Sequence, residues 1–184
     1  MKKLYKKLED GRLQYAEYWL NQNKITLHTG EVGKKGHIEI FSDYKSEEEF
    51  EEQFNNMFSP FGYKPLNNIC WIVVQYSIKS IEIKEEIGKL KDRVINCLNN
   101  EIGWLGLGYV DGYDIGKQMC MDAEFVLNIF CVVVDKNIGL KTINDILKKN
   151  KLNYEQVRIA SRENHDDDYV LQYSFDKNED TFFL

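Results

Sequence analysis

Residues 70–78 read CWIVVQYSI, nine residues rich in apolar, β-branched and aromatic side chains. That composition predicts a strand inside a sheet. The segments after it decide the fold of the larger part of the chain. Residues 85–100 place Ile87, Leu90, Val94 and Leu98 along one side of a helix. Residues 104–113 and 125–135 read as two further strands. Residues 137–150 form a second helix with Ile143, Ile146 and Leu147 inward, and residues 154–160 a fourth strand. The stretch YVLQYSF, residues 169–175, alternates and either adds an edge strand or docks elsewhere.

The order strand, helix, strand, strand, helix, strand predicts an antiparallel sheet with both helices on one face. The expected class is α+β, and this part is expected to be a ferredoxin-like βαββαβ sandwich.

Upstream, residues 1–66 read as a strand meander ending in a helix. Short apolar segments at 4–8, 13–20, 25–32 and 37–41 are separated by Glu9-Asp10-Gly11, Asn21-Gln22-Asn23 and a glycine-flanked hairpin, Gly33-Lys34-Lys35-Gly36. Ser46 followed by Glu49 is a capping box, and Glu47, Glu48 and Glu49 suit the positive end of the helix dipole. Phe50, Phe54, Met57 and Phe58 follow at helical spacing and are expected to lie across the first sheet. Ser59-Pro60-Phe61-Gly62 stops the helix. The segment KPLNN, residues 64–68, is the best candidate boundary, giving modules 1–66 and 67–184.

The chain has 184 residues, 43% of them hydrophobic, enough to fill a core. The start, MKKLYKKLEDGR, is basic but lacks a subsequent apolar stretch. The longest apolar run, IFCVVV at 129–134, is too short to span a bilayer. Cys70, Cys97, Cys120 and Cys131 show no CxxC spacing and read as reduced thiols of a cytoplasmic protein. The net charge is −6, of which −1 falls in residues 1–66 and −5 in the remainder. Neither part has the basic excess that phosphate-backbone binding needs. The tail from 163 to 184 holds seven acidic residues against Lys177.

Residues 1–66 resemble a WGR domain. The likeness rests on YAEYW (15–19), HTGEVGKKGH (28–37), SEEEFEEQF and the closing GYKPL, with Gly30, Gly33 and Gly36 retained. WGR domains help poly(ADP-ribose) polymerases engage broken DNA ends, so the resemblance implies nucleic-acid binding. Thr29 and Glu31 stand where that family has the tryptophan and arginine of its motif. Glu31 reverses the charge facing a phosphate, leaving Lys34 and Lys35 as the possible residual phosphate contacts. The second module, through GWLGLGYVDGYDIG (103–116) and FCVVVD (130–135), is similar to small bacterial domains of unassigned function, a likeness that implies no activity.

Gly103, Gly106, Gly108, Gly112 and Gly116 crowd one segment. Such backbone could cradle phosphate, but a dinucleotide fingerprint opens a helix and a P-loop carries Lys-Ser/Thr, and neither holds here. A bulged strand with close packing is the alternative. Asp111, Asp114, Asp122 and Glu124 lack calcium-loop spacing. His28 and His37 flank the hairpin without a third ligand, and no GxSxG or Cys–His pairing stands out. No cofactor or metal is expected.

The reading is of a non-enzymatic binding or adaptor protein with a protein partner and no membrane association. Its site is expected at Trp104, Tyr109, Asp111, Tyr113 and Asp114, where aromatic surface meets a few polar groups. Nucleic-acid binding, an immunity-type inhibitor of a basic toxin, and a small-molecule enzyme at 103–116 are the alternatives.

Overall fold

The computed structural model describes residues 2–21, 24–42, 46–66, 69–78, 84–118, 125–152 and 157–184. It is an α+β protein with two separate antiparallel sheets, of four and five strands, and three α-helices among those residues. Two compact units are present. One comprises Met1–Asn67 with Trp104–Gly106, the other Asn68–Gly103 with Leu107–Leu184.

The first unit is a meander, β1 (Lys2–Lys7), β2 (Leu13–Asn21), β3 (Lys24–Glu31) and β4 (His37–Phe41), in that order in the sheet. Helix α1 (Glu47–Phe58) comes next. Its N-cap is Ser46, whose hydroxyl accepts from the Glu49 amide at 3.2 Å, as the capping box requires. Phe50 and Phe54 are fully buried against Leu4, Ala16, Tyr18, Ile25 and Leu27. The Tyr18 ring meets both phenylalanines edge-on at 4.9 and 5.0 Å. Met57 departs from the expected stripe and is 38% exposed, while Phe58 packs against the core. The stripe runs through Phe50, Phe54 and Phe58, and Met57 lies about 60° around the helix from Phe54.

The second unit contains β5 (Cys70–Ile78), α2 (Lys84–Trp104), β6 (Gly108–Lys117), β7 (Phe125–Val133), α3 (Lys136–Lys149), β8 (Val157–Arg162) and β9 (Val170–Ser174). The sheet order is β6-β7-β5-β8-β9, so the stretch at 169–175 adds the edge strand. Helix α2 runs further than expected. Leu98 and Ile102, both fully buried, continue its apolar stripe, and the helix reaches Trp104, which is therefore not the start of a strand. Asp135 caps α3 through the Ile138 amide. The expected start of the fourth strand, 154–156, lies outside the described residues. So do Gln22 and Asn23 of the first long turn, Cys120, Asp122 and Glu124.

The two faces of this sheet differ. Ile72, Val74 and Tyr76 point toward the helices, where Gly139 of α3 lies against Ile72 and Val133 and the Tyr76 hydroxyl donates to the Leu152 carbonyl at 2.8 Å. The alternate residues Trp71, Val73, Gln75 and Ser77 point to the opposite face.

Candidate functional site

The opposite face of the five-stranded sheet carries a row of polar side chains, one from each strand. Asp114 on β6 is in register with Asn128 on β7, Asn128 with Gln75 on β5, Gln75 with Arg158 on β8, and Arg158 with Ser174 on β9. Three come from strands that are largely apolar. Gln75 is fully buried and Asn128 nearly so.

The row is hydrogen-bonded along its length. Asn128 Nδ2 donates to Asp114 Oδ1 at 2.8 Å, and Gln75 Nε2 donates to Asn128 Oδ1 at 2.9 Å. Gln75 Oε1 accepts from Gln118 Nε2 at 3.0 Å and from Arg158 Nη1 at 3.4 Å. Residues 175–184 close the network. Glu179 accepts from Arg158 Nε at 2.8 Å on both carboxylate oxygens and takes a further bond from Nη2. Ser174 Oγ donates to Glu179 at 2.6 Å. The Phe183 carbonyl accepts from Gln75 Nε2 at 2.8 Å and from Gln118 Nε2 at 3.4 Å. The Arg158 guanidinium holds the Glu179 carboxyl below the ordinary glutamate value.

On the same face the Arg162 guanidinium lies 5.5 Å from the Trp71 ring centroid and 4.7 Å from that of Tyr169. Its Nε–H is buried and meets no acceptor among the described residues. A cavity of about 340 Å³ opens there, lined by Arg162, Asp167, Asp168, Tyr169 and Phe182 to Leu184.

The expected site residues occupy four different settings. Tyr109 and Asp114 project on the face of the polar row, since their register partners are Val132 and Asn128. A bulge between Val110 and Gly112 contains Asp111. Beyond it Tyr113 pairs with Ile129 and faces the helices, with Lys91 Nζ 4.5 Å above its ring. Trp104 groups with the first unit, where its ring meets His28 at 5.2 Å and Trp19 at 6.0 Å. The structure brings Asp114 into the row and sets Tyr113 and Trp104 elsewhere. Sequence reasoning misses Gln75, Gln118, Asn128 and Arg158. The available signal is a polar residue near the centre of the apolar strands β5 and β7, Gln75 and Asn128; Arg158 stands at the start of β8 and Gln118 just past β6.

The first unit holds a second polar chain. Tyr15 and Glu17 on β2 and His28 on β3 lie on the sheet face away from α1, all buried. Tyr15 Oη and His28 Nε2 are 2.8 Å apart, and His28 Nδ1 and Glu17 Oε1 are also 2.8 Å apart. Lys3 Nζ reaches Glu17 Oε2 at 2.9 Å. A carboxylate at Glu17 can only accept, so His28 Nδ1 donates to it, and Nε2 pairs with the Tyr15 hydroxyl. Burial, with the Glu17 charge, keeps the Tyr15 phenol protonated. Gly36 and Gly106 admit the ring: a Cβ at either would overlap Tyr15, and Gly106 also has φ +62°. His37 is exposed, 3.7 Å from Glu39, on the strand neighbouring His28.

Elsewhere in this unit Glu31 pairs with Arg12 at 2.8 Å and with Lys34 at 2.7 Å, while Lys35 is exposed. Cys70, Cys97 and Cys131 are free thiols, and burial pushes Cys70 up to about 11 and Cys131 up to about 12. Among the described residues no cluster of His, Cys, Asp and Glu has the makings of a metal site, and no helix is long and apolar enough to cross a membrane. No protein-family model, curated protein or solved structure matches the chain.

Proposed function

We propose that this chain is a non-enzymatic binding protein whose protein partner adds an extended segment to the outer edge of β6. One observation carries the reading. β6 is a ten-residue edge strand, and its Tyr109, Tyr113 and Ile115 are each about half exposed. Edge strands present unpaired backbone groups, and proteins usually blunt them with charge, bulges or short length. Here the bulge at Asp111 and Asn99 Oδ1, which accepts from the Val110 amide at 2.8 Å, interrupt one end, and the six residues Gly112–Lys117 continue the edge beyond them. Strand addition would draw affinity from the backbone and specificity from the alternating side chains.

Several features support the reading. The buried thiols are held protonated, and the Tyr15–His28–Glu17–Lys3 chain is buried, with each member engaged by another. Neither supplies a nucleophile to a substrate. The antiparallel order β8-β5-β7-β6 supports a ferredoxin-like reading of the second unit, and a four-strand meander with one helix after it supports a WGR-like reading of the first. Lys34, tied to Glu31, favours a protein partner over a phosphate backbone. Free cysteines support a cytoplasmic setting.

The test uses the full chain with a photo-crosslinking residue at Asp111, expressed in its native cells. A single dominant protein adduct is expected. It should be lost in a Tyr109→Ala/Tyr113→Ala variant whose melting temperature is unchanged. Adducts that persist in that variant, or that disappear only when folding is lost, overturn the assignment.

A further inference from the structure

We propose that the polar face of the second unit is a recognition site for a compact acidic peptide segment, and that residues 175–184 occupy it in cis. The required pattern is a glutamate with, four residues later, a residue whose backbone carbonyl accepts. In the chain's own segment these are Glu179 and Phe183.

The chemistry of the row suits recognition better than simple packing. A sheet face sealed for stability alone is filled by apolar side chains, because a buried polar group must have its hydrogen bonds satisfied merely to break even. Here Gln75 is fully buried at the centre of an apolar strand, and part of its hydrogen bonding is met by the carbonyl of Phe183. Gln118 donates to the same carbonyl. Two amides converging on one backbone acceptor read a peptide group, whatever its side chain. Arg158 beside them takes a carboxylate in the forked geometry that guanidinium favours. Together they specify an acid and a carbonyl on neighbouring strands, about 5 Å apart across the sheet. The chain turns just ahead of the acid, with the Glu179 amide donating to the Asp176 carbonyl at 3.2 Å.

The occupant is held chiefly by polar contacts, with the Phe182 ring 6.1 Å from that of Tyr169. Phe175 is 45% exposed, Phe183 47% and Leu184 38%, so its apolar side chains are only partly inserted. No residue of 175–184 lies in a helix or strand. The site also keeps capacity that this segment does not use. The buried Arg162 Nε–H lacks an acceptor among the described residues, beside the cavity that Phe182, Phe183 and Leu184 line. A partner segment with an acceptor at that position would satisfy it as well. An incoming peptide must compete with a tethered one, whose effective concentration is on the order of millimolar.

The experiment compares full-length chains. A fluorescent peptide of residues 175–184, FDKNEDTFFL, is titrated into wild type and into Glu179→Gln, with anisotropy as the readout. The variant's own tail loses its charged anchor, so it should bind the peptide about tenfold more tightly than wild type does. Hydrogen exchange should show faster exchange of the tail amides in the variant and protection restored by peptide. Adding Arg158→Met or, separately, Gln118→Leu to the Glu179→Gln chain should abolish binding. Equal affinity in wild type and Glu179→Gln overturns the proposal. So does binding that survives both Arg158→Met and Gln118→Leu.

Discussion

Gln75 and Asn128 face each other across β5 and β7, with the amide of one donating to the carbonyl oxygen of the other at 2.9 Å in a buried setting. Neither side chain can lose its partner cheaply, because the remaining group stays in the protein interior. Asn128→Leu should therefore destabilise the protein by about 1–3 kcal/mol. The Gln75→Leu/Asn128→Leu double variant should lose less than the two single variants together, since it removes both groups. Urea melts of the four proteins check this. Additivity within about 0.5 kcal/mol would show that the pair is not coupled.

In the first unit Phe54→Ala should cost about 3–5 kcal/mol, because the ring is fully buried against Tyr18, Phe50 and Phe58. Met57→Ala should cost less than about 1 kcal/mol, given its exposed position. Denaturant unfolding separates them, and similar costs would mean the helix presents a different face.

His28→Ala should cost about 3–5 kcal/mol, since it leaves Glu17 buried with only Lys3 and takes the hydrogen-bond partner from Tyr15. His28→Gln, which can still donate and accept, should recover part of that loss. Equal melting temperatures for the two variants would argue that packing, not hydrogen bonding, sets the cost.

The glycines of 103–116 should divide sharply. Gly106→Ala places a Cβ into the Tyr15 ring at a positive φ and should lose at least about 2 kcal/mol. Gly103→Ala sits in α2 with open space around it and should gain up to about 1 kcal/mol. Thermal melts of both variants give the answer, and a destabilised Gly103→Ala is the informative failure.

Acid should loosen the tail before it unfolds the protein. Arg158 depresses the Glu179 pKa below its ordinary value of 4.5. The stabilisation is therefore fully present above that value and is lost as pH falls through the lower, folded-state value. Hydrogen exchange corrected for intrinsic rates should show protection of residues 175–184 held at pH 6 and lost at lower pH. The Glu179→Gln variant should show no such step.

Much of this protein is set by local sequence. The Ser46 cap, the Phe50–Phe54 stripe, the strand at 70–78 and the strand-helix order of the second unit rest on short-range rules: periodicity, capping and turn chemistry. These depend on neighbours a few residues away and can be read without knowing the fold. The reach of α2 to Trp104 is not legible in the same way. A glycine-rich stretch reads locally as a break, although the buried stripe through Ile102 outweighs it. The polar row was decided by tertiary structure alone. Gln75 meets Asn128 from 53 residues away and Arg158 from 83, and only the strand order and register place them side by side. In a strand, a shift of one residue turns every side chain to the other face. A lone polar residue in an apolar strand thus announces itself in the sequence, but the partners that satisfy it are chosen by the sheet.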